Sequence, residues 1–320
     1  MSDLIGLVFP FFGLIFLGFL VARITRQPVE ALGWMNTFIV YVALPALFFQ
    51  LLSKTPIERL TEWSYIFASV FSTYLMFSIM FVASVLVSRG EVAASTIKGL
   101  AAAYGNIGYM GPGLALLAFG ESAAVPVALI FCFENIMHFA IAPTMMALAG
   151  GKKARFGRLA LEIAKKIAFH PFIIATAAGV LGAWAEVAPP LPVERLLDVL
   201  AGAAAPCALF AMGVTLALRP LKRAPVELAP IAVLKLLIHP AAVYVMMSLI
   251  GNFDPTWVFT AVLLAALPTA TNVFVLAQQY GVWVQRASAS ILVTTLLSVG
   301  TVTLLLYLIR SGALPPDLFP

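Results

Sequence analysis

The chain is written as a succession of apolar runs, each about as long as a membrane is thick. Crossing a ~30 Å hydrocarbon core takes roughly 20 residues of helix. Runs of that kind lie at Leu4 to Ala22, Trp34 to Leu52, Ser64 to Val87, Gly99 to Phe119, Ala124 to Ala149, Pro171 to Val187, Leu200 to Leu218, Ala229 to Ile250, Trp257 to Tyr280 and Ala289 to Ile309. Composition agrees: 62% of residues are hydrophobic and only 10% charged, with a mean hydropathy of +1.03. A water-soluble domain of this size needs far more polar surface. The sequence therefore predicts an all-α polytopic membrane protein with ten transmembrane helices.

Landmarks recur at one spacing. Pro10 and Pro171, Pro45 and Pro206, and Gly120 and Gly281 are each 161 residues apart, as are Phe11 and Phe172, Gly18 and Gly179, Ala43 and Ala204, and Phe49 and Phe210. The chain reads as one five-helix unit written twice, residues 1–150 and 171–320, joined by a linker at 151–170. Orientation follows from Lys and Arg, which accumulate on the cytoplasmic side. With the N-terminus outside, the inner loops hold Arg23, Arg26, Arg89, Lys98, Lys152, Lys153, Arg155, Arg158, Lys165, Lys166, Arg219, Lys222, Arg223 and Arg286. The outer side holds only Lys54, Arg59, Arg195 and Arg310. Both termini are expected on the periplasmic or extracellular side. Because each half has an odd number of spans, the second half must be inverted relative to the first.

The first run lacks a basic region before Leu4 and is followed by Arg23 and Arg26, so it reads as a retained helix rather than a signal peptide. Cys132 and Cys207 both fall within spans, which argues against a disulfide framework. The net charge of +5 is accounted for by the inner loops, with no need for nucleic acid. Within the linker, Ala154 to Ala168 interleaves basic and apolar residues. It reads either as an amphipathic helix on anionic headgroups or as a charge cluster that sets topology.

Two spans cannot be regular helices. The fourth contains Gly105-Asn106-Ile107-Gly108-Tyr109-Met110-Gly111-Pro112-Gly113, and Gly costs about 1 and Pro about 3 kcal/mol relative to Ala in a helix. The ninth reads Leu267-Pro268-Thr269-Ala270-Thr271-Asn272 at the equivalent depth, with Gly111 opposite Asn272 in the 161-residue register. Matched breaks in two halves point to a transport site. Half-helices restarting there would turn free N–H groups toward an anion. Asn106, Gly108, Gly111, Pro112, Pro268, Thr269, Thr271 and Asn272 are the candidate substrate-binding residues.

Intramembrane charges are the second signal, since they are costly and usually paired or functional. Glu134 and His138 share a helical face in the fifth span, with Asn135 beside them; Lys235 and His239 share a face of the eighth. Glu134, Asn135 and His138 are candidates for coupling or ion pairing, and Lys235 for neutralising a substrate carboxylate. Lys235 lies opposite Tyr74 in the register. His170 and His239, each before a proline, read as packing residues.

With these residues in view, the chain resembles the auxin efflux carrier family over essentially its whole length. The likeness rests on Leu44-Pro45-Ala46-Leu47-Phe48, Asn106 with Met110-Gly111, His170-Pro171, Ala205-Pro206-Cys207-Ala208-Leu209, and Ala265-Ala266-Leu267-Pro268 through Tyr280-Gly281. It implies two inverted five-helix repeats with crossed helices 4 and 9, an architecture similar to bile-acid symporters and NhaA. It also implies a scaffold domain of helices 1, 2, 6 and 7, a transport domain of helices 3–5 and 8–10, elevator-type alternating access and a homodimer. Plant members have Gly-Ile-Pro where this chain has Gly111-Pro112-Gly113, and a proline at the position of Val273, so auxin itself is not the expected substrate.

The function expected is secondary transport of a small mono- or dicarboxylate, malonate-like, across an inner membrane. No nucleotide-binding Gly-Lys-Ser motif is present, so a gradient must drive it, with H+ or Na+ the coupling ion if there is one. Neither a cofactor nor a metal site is expected. A sodium-coupled symporter of larger, bile-acid-type anions is the alternative. A membrane-embedded enzyme would need a nucleophile and base, or metal ligands, at one depth, and no such grouping is legible.

Overall fold

The computed structural model describes residues 2–150, 156–187, 189–218 and 227–319, and all regular secondary structure in them is helical. Thirteen helices follow one another: α1 (Ser2–Thr25), α2 (Glu30–Ser53), α3 (Trp63–Val87), α4 (Val92–Ala103), α5 (Gly111–Phe119), α6 (Ala124–Ala149), α7 (Phe156–Ala168), α8 (Pro171–Trp184), α9 (Leu191–Leu218), α10 (Leu228–Ile250), α11 (Pro255–Ala266), α12 (Thr271–Tyr280) and α13 (Val284–Arg310). Of the basic residues used for orientation, Lys152, Lys153, Arg155, Arg219, Lys222 and Arg223 lie outside the described residues.

Among the described residues, six segments are long and apolar enough to cross a membrane: Glu30–Ser53, Trp63–Val87, Glu121–Ala149, Leu191–Leu218, Leu228–Ile250 and Val284–Arg310. Shorter apolar helices occupy the remaining expected spans. The fourth and ninth spans are interrupted where glycine and proline cluster: α4 stops at Ala103 and α5 resumes at Gly111, while α11 stops at Ala266 and α12 resumes at Thr271. The seventh differs from expectation by starting at Leu191 rather than Leu200. Pro190 lacks an N–H but its carbonyl accepts from Val193 and Glu194, so the helix is launched early and its first turns carry Glu194, Arg195 and Asp198.

The chain divides into two compact units. One comprises Met1–Glu62, Gly108–Cys132 and Ala168–Pro220; the other Trp63–Ile107, Phe133–Ile167 and Leu221–Pro320.

The first unit is held by close helix approach. A Cβ on Gly18 of α1 would lie 2.2 Å from the carbonyl oxygen of Phe210 on α9, and one on Gly179 of α8 would lie 2.8 Å from that of Phe49 on α2. Glycine at such crossings lets backbones meet, which is how helices gain contact where lipid supplies no hydrophobic drive. Phe48, Phe131 and Phe172 fill the space beside them, with Phe48 and Phe131 stacked at 4.4 Å and Phe172 edge-on to Phe131 at 4.7 Å. At its polar margin Lys54 pairs with Glu194 at 3.0 Å, and Gln50 donates to Asp198 at 2.6 Å.

The second unit packs α3 on α4, and α10 on α3 and α11. Met76, Phe77, Ile97, Leu100, Leu228 and Ile231 form part of its apolar core. Unlike the first unit, it also buries many hydroxyls and the ionisable side chains of Glu134, His138, Lys235 and His239.

Candidate functional site

In the second unit, the chain ends left where α4 and α11 stop repair each other. Where α4 and α11 end, the backbone turns extended at Tyr104 and Leu267, leaving carbonyl and amide groups without intrahelical partners. Ala270 N donates to Tyr104 O at 2.9 Å and Asn106 N donates to Pro268 O at 2.8 Å. Gly105 and Thr269 are thereby paired as an isolated antiparallel bridge. Broken backbone at membrane depth survives only where protein or water satisfies it, and here each break satisfies the other. Thr269 completes the repair: its hydroxyl donates to Ala101 O at 2.7 Å and its amide to Thr294 Oγ1 at 3.1 Å. Glycine at 105 leaves room for a charge, because a Cβ there would stand 3.3 Å from Lys235 Nζ.

Lys235 is fully buried. Its ammonium donates to Ala265 O at 2.5 Å, in the last turn of α11, and contacts His239 Nδ1 at 3.0 Å. A lysine ammonium has donors only, so Nδ1 of His239 must accept, and the ring proton sits on Nε2. That nitrogen meets Thr73 Oγ1 at 3.0 Å. Thr73, having one proton, donates it to Glu134 Oε1 at 2.8 Å, where Ser69 also donates at 2.9 Å. The result is a closed, directional chain from Lys235 through His239 and Thr73 to Glu134. The tautomer is assigned from this network.

A second polar group lies alongside. Tyr104 Oη donates to Asn135 Oδ1 at 2.6 Å and accepts from Asn272 Nδ2 at 2.8 Å. The Tyr104 ring is stacked on that of His138, centroids 3.7 Å apart and planes 16° from parallel. His138 Nδ1 is 2.5 Å from Glu134 O; a carbonyl only accepts, so Nδ1 carries the proton and Nε2 is left as a lone pair.

The predicted residues are thus distributed unevenly. Lys235, Glu134, Asn135, His138, Asn106, Pro268, Thr269 and Asn272 come together in the second unit. Asn106 is 2% exposed and Thr269 fully buried, Thr271 is half-buried, and Asn272 is exposed on the first turn of α12. Gly108, Gly111 and Pro112 belong to the first unit, where Gly108 abuts the Phe131 ring. Glu134 and Lys235 are joined through Thr73 and His239. His239, read from sequence as a packing residue, is instead the middle of the chain, because α10 has a π-helical stretch (Leu234–Ile238) ahead of it and both its ring nitrogens find partners. Sequence reasoning assigned no role to Tyr104, Ser69 or Thr73. Ser69, Ser72 and Thr73 did carry a legible signal: hydroxyls at helical spacing on one face of an otherwise apolar run.

Apolar spanning helices, two of them broken and cross-braced, with buried ionisable groups at the break, define a membrane transporter. Comparison with known proteins agrees. The chain matches the family described as membrane transport protein over residues 3–306 and belongs to it, the auxin efflux carrier family, whose members are transporters rather than enzymes. It is 65% identical over 320 residues, 100% of both chains, to a Rhizobium meliloti protein named "Putative malonate transporter". It is also 25% identical over 292 residues, 89% of this chain and 91% of the relative, to an "Uncharacterized transporter" of Methanothermobacter thermautotrophicus.

Proposed function

We propose that the protein is a secondary transporter of a small organic anion, with malonate the first candidate, working in an inner membrane by an elevator-type alternating-access cycle. The observation that carries the anion reading is Asn272. It stands exposed at the first turn of α12, beside amides that lack helical partners, with its own side chain held by Tyr104. Such an end favours negative charge, and Lys235 lies behind the same crossing. The relative's name supplies malonate.

In this reading the chain crosses the membrane ten times as two inverted halves with both termini outside. Support comes from the glycine crossings: shifting Gly18 by 161 gives Gly179, and shifting Phe210 back by 161 gives Phe49. The contact of Gly18 with Phe210 thereby maps onto that of Gly179 with Phe49, as exchange of two equivalent halves requires. The broken helices match too, 12 residues then 9 in one and 12 then 10 in the other. The unit with the polar core would carry the site, the other would be the scaffold, and the working form would be a homodimer.

Thermal melting of the purified protein with malonate tests this. A ligand bound only by the folded state stabilises it by about 2.7 kcal/mol at a hundred times Kd. Malonate should raise the melting temperature without sodium, and Asn272→Ala and Asn106→Ala should remove the rise. A full rise in both variants would refute the site, and a rise that needs sodium would favour the bile-acid-type alternative.

A further inference from the structure

Lys235 is the one lysine or arginine buried among the described residues, and Glu134 the one buried carboxylate. The ammonium donates to Ala265 O, in the last turn of α11, at 2.5 Å. A Cβ on Gly105, just past the end of α4, would stand 3.3 Å from the same Nζ. The charge of Lys235 therefore rests where two helices of the second unit both end. A helix C-terminus carries roughly half a negative charge, so two of them ending at one place call for about one positive charge.

Transporters built on broken helices take up metal cations at such places, on unwound carbonyls and helix C-termini. Here the acceptors at hand are already engaged. Ala265 O and His239 Nδ1 both face Nζ, and the other nitrogen of His239 carries the proton that faces Thr73. Glu134 Oε1 accepts from Ser69 and Thr73. A sodium ion would have to displace the ammonium or share its acceptors, setting two positive charges side by side where the low dielectric makes their repulsion strong.

We infer that Lys235 is a tethered cation: it holds permanently the position that a coupling metal ion would visit, so the anion binds without sodium and the positive charge stays with the second unit. The inference rests on the proposed anion transport and deepens it by saying what compensates the two helix ends in place of a metal ion. The role is more than that of a hydrogen-bond donor. A neutral donor could satisfy Ala265 O, but it would leave the helix ends and Glu134 without their positive partner. The same crossing positions Tyr104, whose hydroxyl holds Asn272, so the charge of Lys235 supports the backbone on which the proposed anion site is built.

Melting of the purified full chain in sodium, choline and methylammonium chloride at equal ionic strength supplies the test, since a ligand held only by the folded state raises its melting temperature. Wild type should melt alike in sodium and choline, with malonate Kd values within about threefold of each other. A sodium-specific rise in melting temperature, or a larger gain in affinity with sodium, would overturn the inference. Lys235→Ala vacates the position but leaves Ala265 O, His239 Nδ1 and Glu134 in place. Methylammonium, which has the head group of lysine, should raise the melting temperature of this variant relative to choline, which has no N–H, and tighten its malonate Kd by about tenfold or more. Lys235→Ala/Glu134→Gln should not respond. A Lys235→Ala protein indifferent to methylammonium, or a double variant that responds equally, would overturn the inference. If Lys235→Ala does not fold in any of these salts, Lys235→Gln replaces it, keeping a donor without the charge. It should weaken malonate binding by about tenfold or more, and an unchanged Kd would overturn the inference. A wild type that binds no malonate in either salt refutes the proposed function, while the melting responses to sodium and methylammonium, which need no malonate, still decide the inference.

Discussion

The two units of this protein solve the problem of packing helices in lipid in opposite ways. Of the polar and charged residues buried in the described structure, the first unit contains only Thr55, whose hydroxyl is returned to Leu51 O at 2.7 Å. It coheres through glycine set against backbone and through stacked phenylalanines. The second unit buries Glu134, His138, Lys235 and His239 among serine and threonine hydroxyls, at a cost that packing alone would never favour. In the proposed transport cycle the difference would separate a unit that only holds from one that binds and releases. An apolar unit has one arrangement and no reason to leave it, while a polar core offers donors and acceptors that a charged ligand can re-pair.

The largest expected effect breaks the polar side of that contrast. Lys235→Met strands Glu134 at the end of the hydrogen-bonded chain and should destabilise the protein by about 3–5 kcal/mol. The double variant Lys235→Met/Glu134→Gln should recover part of the loss. Equal melting temperatures for the single and double variants would mean that the chain does not couple them. Next comes the apolar side. Gly18→Ala forces a methyl onto Phe210 O and should cost about 1–3 kcal/mol, with Gly179→Ala following at the lower end because its contact is looser. If both variants melt like wild type, the close approach is not what holds this unit.

Tyr104→Phe should cost less in stability, about 0.5–1.5 kcal/mol for the bridge between Asn135 and Asn272. It should weaken malonate binding more than it lowers the melting temperature, and the reverse order would make Tyr104 a packing residue only. The smallest effect is at the surface of the first unit. Lys54 is held above the ordinary lysine range, chiefly by its hydrogen bond to Glu194. A raised pKa stabilises below the unfolded value near 10.4 and ceases to do so as pH climbs through the folded one. Exposed pairs contribute only about 0–1 kcal/mol, so Lys54→Ala should lower the melting temperature slightly at pH 7 and progressively less as pH rises through the folded pKa of the lysine.

Much of this contrast is legible in the sequence. The glycines and prolines of 105–113 and Pro268 announce interrupted helices because propensity is local. Glu134 with His138, and Lys235 with His239, announce shared faces because four residues are about one turn. Spacing cannot supply partners that lie far apart in the chain. Tyr104 stands at the break itself, yet its importance comes from Asn135 and Asn272, 31 and 168 positions away. His239 looked like a residue preceding a proline, and only the approach of α3 gives its second nitrogen Thr73.

By itself, the sequence determined the solvent, the number and approximate limits of the apolar runs, where two of them fail, and which charges would be trapped inside. These follow from transfer free energies and backbone sterics, which each residue carries wherever it sits. Tertiary structure alone decided that the two breaks pair as one antiparallel bridge, that Lys235 reaches Glu134 through His239 and Thr73, and that His138 is left with an unclaimed nitrogen. Hydrogen bonds are short and directional, so which donor meets which acceptor is settled only when distant helices are brought within 3 Å of one another.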